Sequence, residues 1–183
     1  MQNNDTVIVF LALLAILCQV FVVCTWSFAA ITAITGKTKE AFHSTVGALA
    51  PAAAPFAFGV ALVTMLGSLY MSEIKHFTPC HLCWIQRGLL YPQVLWTLLL
   101  WIKPDLKWIR RIAYVMLVAD VPVSIYHYLL EWYPNLETSV CSLKAPCSLV
   151  WFREYHYLSL PLMALTSALT VLTLLLISSR QTD

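Results

Sequence analysis

Charge is scarce in this chain. Only 11% of its residues are charged, against about 25% in ordinary soluble domains, while 60% are hydrophobic. That excludes an ordinary soluble protein. The net charge of +2 is too small to suggest nucleic-acid binding, and the basic residues fall in connectors between apolar runs. Met1 to Val9 carries no Lys or Arg, and the apolar run that follows is longer than a signal-peptide core. A retained membrane helix is therefore expected there, not a cleaved signal. No nicotinamide or flavin fingerprint is present either.

What the chain has instead is a series of apolar runs of bilayer length. Five spans are expected, at about Val7–Ile31, Pro55–Met71, Thr78–Trp101, Ile112–Leu130 and Tyr157–Ile177. In the second, Gly59, Gly67 and Ser68 are small enough for close helix approach. The Ala/Pro-rich stretch from His43 to Ala54 suits either a short surface helix or a lead-in to that span. Lys103, Lys107, Arg110 and Arg111, against Asp105 alone, form the most basic connector. Placed on the cytoplasmic side, it brings Lys37, Lys39 and Arg180 to the same side. The N-terminus and the connectors that carry the paired cysteines then fall outside, where disulfides form and persist.

The chain has six cysteines. Cys18 and Cys24 lie in the first apolar run, about 9 Å apart along a helix axis. That is too far for a disulfide in one straight helix, and both are expected to be inert. Cys80 and Cys83 lie in Thr78-Pro79-Cys80-His81-Leu82-Cys83-Trp84-Ile85-Gln86-Arg87, where a polar connector becomes an apolar run. Thr78 is expected as the N-cap and Pro79 as the first helical residue, with both thiols in the first turn. Exposed amides and the helix dipole favour a thiolate there. Arg87, one turn beyond Cys83, adds positive charge on the same face. Two readings remain open: space-filling cysteines with a snorkelling arginine, or a dithiol/disulfide redox centre.

Cys141 and Cys147 form the second pair, in a Pro-containing connector from Trp132 to Tyr155. Bridging them costs about 2 kcal/mol of chain entropy, and the bridge is either a static staple or an exchanging couple. A lipid-soluble quinone, ubiquinone or menaquinone, can approach Cys80 and Cys83 from the bilayer, with Arg87 and His127 on either side of it. His127 alone also suits an ordinary interfacial histidine. Asp120, near the middle of the fourth span and next to Pro122, fits two roles equally well: a proton carrier or the anchor of a kink.

These residues carry a resemblance. Pro79-Cys80-His81-Leu82-Cys83-Trp84-Ile85-Gln86-Arg87 is similar to the P-C-x-L-C-x-x-x-R signature of the DsbB/BdbC family of membrane thiol oxidoreductases. Tyr126-His127-Tyr128-Leu129-Leu130-Glu131-Trp132-Tyr133-Pro134 resembles the helix end before that family's second cysteine pair. Pro146-Cys147 with Leu160-Pro161-Leu162 resembles the entry to its last helix. The similarity covers about Pro55 to Ile177.

The resemblance implies an all-α membrane protein: a four-helix transmembrane bundle, here with one additional N-terminal transmembrane helix. Residues 1–35 would be that helix, 36–54 a cytoplasmic connector, 55–178 the bundle and 179–183 a cytoplasmic tail. It implies catalytic cysteines Cys80, Cys83, Cys141 and Cys147 and a quinone held near Arg87 and His127; no metal is expected, because an oxidising compartment and the helix cap argue against one. It also implies a DsbA-like thioredoxin-fold partner, linked through Cys141, outside a bacterial plasma membrane. Cys83 would be the cysteine that meets the quinone. The short Cys141–Cys147 spacing is nearer the BdbC-like form. The vitamin K epoxide reductase family shares the two-pair logic but places its C-x-x-C after the loop pair, and the order here argues against it. Two other functional classes remain: a non-catalytic scaffold with stapled outer loops, and a zinc protein using all four cysteines.

Overall fold

The computed structural model describes residues 5–35, 39–137, 141 and 146–179. Lys37, Ala145, Arg180 and the first four residues lie outside the described residues. Every long element is helical: α1 (Thr6–Thr35), α2 (Lys39–Leu69), α3 (His81–Leu90), α4 (Pro92–Ile102), α5 (Lys107–Trp132) and α6 (Leu160–Ser178). Segments Thr6–Thr35, Lys39–Ile74, Lys107–Trp132 and Leu160–Ser178 are long and apolar enough to cross a membrane. The protein is an all-α, multi-pass membrane protein.

Two boundaries differ from expectation. The expected 36–54 connector is helical from Lys39, continuous with the expected second span. Pro51 and Pro55 each delete one helical N–H donor without ending α2. Tertiary packing outweighs that cost. Val46, Ala50, Ala53, Ala57 and Ala61 recur at helical spacing and are all buried, in one cluster with Ala168, Val171 and Leu175 of α6. Small side chains let the two backbones approach, so dispersion and not water exclusion holds them. The alanines thus make the close contact, whereas Gly59 has nothing within 4 Å of a built Cβ.

The second difference is in the third expected span, which is two helices meeting at Tyr91. Pro92 cannot donate to the carbonyl four residues back, so the ladder is interrupted there. Tyr91 N–H still bonds Arg87 C=O at 2.9 Å, four residues back, but Val94 N–H bonds Tyr91 C=O at 3.2 Å, only three back. Tyr91 itself keeps helical dihedrals.

α1 lies parallel to α6, held by polar anchors one heptad apart on both helices: Gln19 Nε2 to Thr166 Oγ1 at 3.1 Å and Trp26 Nε1 to Thr173 Oγ1 at 3.0 Å. Asp5 pairs with Lys75 and accepts from Tyr70 Oη at 3.1 Å, which ties the start of α1 to the end of α2. After Leu69 the helix widens into a π-type turn over Tyr70–Ile74, with Lys75 N–H donating to Tyr70 C=O. The buried stripe of α5 includes Ile109, Ala113, Leu117, Asp120, Ser124, His127 and Leu130, and α5 packs on α6 and α3. Antiparallel turns thus bring the ends of α2 and α5 and the starts of α1, α3 and α6 to one end of the bundle. The basic connector lies at the other end. The Trp132–Tyr155 connector holds a short 3-10 turn at Pro134–Leu136. It closes in a tight reversal in which Tyr155 and His156 take positive φ (50° and 69°).

Candidate active site

The helix cap lies two residues later than expected. Cys80, not Thr78, is the N-cap of α3: it is extended (φ −75°, ψ 174°), and its Sγ accepts the Cys83 N–H at 3.2 Å. One of the orphan donors at the helix start is thereby satisfied by sulfur. Cys83 alone of the pair lies inside the first turn. The two Sγ atoms are hydrogen-bonded at 2.8 Å, and His127 Nε2 lies 3.5 Å from Cys80 Sγ. Cys80 stands just outside α3, where the hydrogen bond from Cys83 draws its thiol well below the ordinary range. Burial opposes that shift, and the hydrogen bond with His127 reinforces it. A thiolate at Cys80 would accept the same Cys83 N–H at the helix start.

The other couple is adjacent. Cys141 and Cys147 are joined in a disulfide with Cα atoms 5.7 Å apart. Cys147 is 1% exposed, while Cys141 is only half-buried. Glu137 anchors the bridge: its Oε1 accepts Cys147 N–H at 2.7 Å and its Oε2 accepts Ser148 Oγ–H at 2.8 Å. Cys80, Leu82, Leu130 and Cys147 form one buried cluster, with Cys83 and Cys141 packed against it. A small crevice is lined by Cys80, Cys83, Cys147 and Glu131 together.

On its other side, Cys83 opens onto a cavity of about 470 Å³. The wall is largely apolar: Leu11, Leu14 and Ala15 from α1, Phe56, Gly59, Val60 and Val63 from α2, and Leu160, Met163 and Ala164 from α6. Phe77 and Trp151, stacked at 4.6 Å, close the end. Cys83, Gln86, Arg87, Tyr91 and His127 supply polar groups around one part of it.

Arg87 is held against α2. Its Nε donates to Ser68 Oγ at 3.1 Å and its Nη2 to Ser68 C=O at 3.0 Å, and Tyr91 Oη donates to the same Ser68 hydroxyl. Its guanidinium also lies over the Trp84 and Tyr91 rings, at 5.3 and 5.9 Å from their centroids. His127, expected to face an electron acceptor, directs Nε2 to Cys80 and also lines the cavity. Cys18, expected to be an inert helix thiol, forms part of the cavity wall, whereas Cys24 is exposed. The four-cysteine zinc reading loses two thiolates to the Cys141–Cys147 bridge.

Sequence reasoning missed Gln86, Ser68, Ser124 and Glu137. Only Ser124 had a readable signal: with Asp120 and His127 it repeats at intervals of four and three, one face of a helix. The others act across elements and leave no mark in local spacing.

Residues 50–169 match the family described as Disulfide bond formation protein DsbB. Disulfide bond formation protein C of Bacillus subtilis is 35% identical over 114 residues, 62% of this chain and 82% of that protein. Probable disulfide formation protein C 1 of Bacillus anthracis is 32% identical over 118 residues, covering 63% and 83%. A probable disulfide formation protein of Coxiella burnetii is 30% identical over 116 residues, covering 62% and 78%. No solved structure matches the chain. The matched residues include Cys80, Cys83, Cys141 and Cys147, and with them the chain belongs to the DsbB family of disulfide-bond-forming membrane proteins.

Proposed function

We propose that the protein is a thiol:quinone oxidoreductase that reoxidises a thioredoxin-fold dithiol protein outside a bacterial plasma membrane. One observation supports this most: two cysteine couples share a buried cluster, and the inner couple opens on an apolar cavity. In this reading α3 and α4 together make the third of five spans, α2 to α6 form the four-helix bundle, and α1 is the additional N-terminal span. The basic connector around Lys103–Arg111 is cytoplasmic and both couples are outside.

The exposures of the sulfurs suggest an order of exchange. A partner thiolate attacks Cys141, the more accessible sulfur of its bridge, and Cys147 leaves as a thiolate. The partner's second thiol then displaces Cys141, which completes the partner's disulfide. Cys147, beside Cys80 in the crevice, attacks the Cys80–Cys83 disulfide at Cys80 and releases Cys83 toward the cavity. Cys141 then attacks Cys147, re-forming the outer bridge and releasing Cys80. Lower-pKa thiols leave faster, and the capped Cys80 suits that final step. Two electrons now reside on Cys80 and Cys83.

The cavity suits a quinone. Its volume lies within the roughly 300–1,000 Å³ range of small-molecule sites, and its apolar wall matches an isoprenoid tail. Arg87 and His127 would hold the polar ring, with Tyr91 beside Arg87. A quinone bound there supplies the two-electron, two-proton acceptor that returns Cys80 and Cys83 to a disulfide.

The test uses the protein in vesicles with a reduced thioredoxin-fold protein outside. Reoxidation is expected only with quinone present, and it should stop in Cys80→Ser and Cys83→Ser. Activity that survives loss of both thiols would overturn the reading. A scaffold with stapled loops would show no exchange with the dithiol protein at all.

A further inference from the structure

A chain of hydrogen bonds runs from the middle of α5 to Cys80. Ser124 Oγ donates to Asp120 Oδ2 at 2.9 Å. Gln86 Nε2, from α3, donates to Ser124 Oγ at 2.7 Å. Gln86 Oε1 lies 2.9 Å from His127 Nδ1, and His127 Nε2 lies 3.5 Å from Cys80 Sγ. All five residues are buried, Asp120 and Ser124 completely.

The donors order themselves. The single Ser124 hydrogen goes to the carboxylate, so Ser124 can only accept from Gln86. The Gln86 amide nitrogen is thereby committed to Ser124, and its oxygen is left for His127. An amide oxygen only accepts, so Nδ1 must carry the hydrogen. Nε2 then presents its lone pair to Cys80.

We propose that Asp120, Ser124 and Gln86 are positioning residues that fix the His127 tautomer so that Nε2 takes the proton of the Cys80 thiol. The S–H bond breaks, an Nε2–H bond forms, and a thiolate–imidazolium pair results with no change in electron count. This rests on the reading of Cys80 and Cys83 as a redox couple. It gives Asp120 a function that is neither a kink anchor nor a proton carrier to solvent. The remaining ionisable groups around the pair are Cys83 and Arg87 of α3 and Glu131 of α5. Arg87 is bonded to Ser68, and Glu131 faces Arg153 at 4.0 Å.

The experiment needs neither quinone nor partner. The full-length protein is taken with Cys80 and Cys83 reduced, and alkylation of Cys80 by iodoacetamide is followed against pH by peptide mass spectrometry. Ser124→Ala and Gln86→Leu should each move the Cys80 alkylation profile to higher pH and slow alkylation about three- to tenfold on its acid limb. That is the effect of about one pKa unit, less the gain in nucleophilicity of a more basic thiol. Gln86→Glu keeps an acceptor for Nδ1–H and should restore the profile. Asp120→Asn keeps an acceptor for Ser124 and should stay near the parent, whereas Asp120→Leu should follow Ser124→Ala. Ser124→Ala is small enough to keep the fold, and an intact Cys141–Cys147 bridge checks each variant. Unchanged profiles in Ser124→Ala and Gln86→Leu would overturn the proposal. So would Gln86→Glu behaving as Gln86→Leu does, because loss of packing would then explain both. Failure of quinone-dependent reoxidation would refute the proposed function and leave these profiles as they are.

Discussion

Gly59 offers a direct test of the cavity. It lies in the wall, and a Cβ built on it meets nothing within 4 Å. The first atom of a Gly59→Leu side chain therefore meets open space on the cavity wall, and the fold should be retained. About four carbon atoms enter the cavity and displace as many atoms of an occupant. At about 0.3 kcal/mol per atom the loss is about 1.2 kcal/mol, or about an eightfold weakening. The expected signature is an eightfold rise in KM for a long-tailed quinone, with kcat at saturation held within about twofold. Thiol exchange between a dithiol partner and the Cys141–Cys147 bridge, measured without quinone, should not change. Gly67→Leu serves as the contrast: its Cβ would lie 3.1 Å from Leu11 Cδ1, so it should disturb the α1–α2 contact and lower thermal stability instead. An unchanged KM in Gly59→Leu, or an equal loss of partner exchange, would refute the assignment of the cavity as the acceptor site.

Three other outcomes are expected. Reduced Cys80 should stay reactive as pH falls below neutrality, because the Cys83 hydrogen bond holds its thiol well below the ordinary value of about 8.5. An alkylation rate that falls tenfold per pH unit from pH 8 down, as an ordinary thiol's does, would contradict the capped geometry. Cys147→Ser should leave Cys141 unable to re-form its bridge, so that a mixed disulfide with an oxidised thioredoxin-fold protein accumulates on non-reducing gels. His156→Gly should stabilise the protein by about 1 kcal/mol and raise its melting temperature, because glycine takes positive φ without the Cβ penalty.

Much of the site was legible because its residues sit at helical intervals within short stretches. Cys80, Cys83 and Arg87 can be placed near one helix start from spacing alone. The cap was misplaced by two residues because the usual N-cap preferences favour Ser, Thr, Asp and Asn, and a cysteine sulfur took that role. The N-terminal half of α2 was left between a surface helix and a lead-in to the second span for a different reason, and it is the lead-in. Pro51 and Pro55 oppose a helix locally, and only the fit of Ala50, Ala53, Ala57 and Ala61 against α6 reverses the balance. The link from Gln86 to Ser124 depends on the register of α3 on α5, which no local pattern encodes. The cavity is less legible still, since it is a space left over by five elements and not a property of any one of them.

α1 bears on the cavity next to Cys83. Residues 50–169 match the family, so all of α1 lies outside the match. Yet Leu11, Leu14, Ala15 and Cys18 of α1 form one wall of the cavity next to Cys83. Three fixings hold that wall: the Asp5 pairing with Lys75, the Leu11 contact at Gly67, and the Gln19 and Trp26 hydrogen bonds to α6. Gln19 is bonded at both ends, since its Oε1 also accepts from Tyr157 Oη at 3.0 Å. Polar bonds between helices in lipid average about 0.6 kcal/mol each, so no single one keeps α1 in place, but together they outweigh the loose packing of a largely exposed helix. Without α1, the cavity would be bounded by α2, α3, α5 and α6 and would lack the wall that Leu11, Leu14, Ala15 and Cys18 supply. In this chain Cys83 therefore faces a cavity that α1 helps to bound, although α1 lies outside the family match.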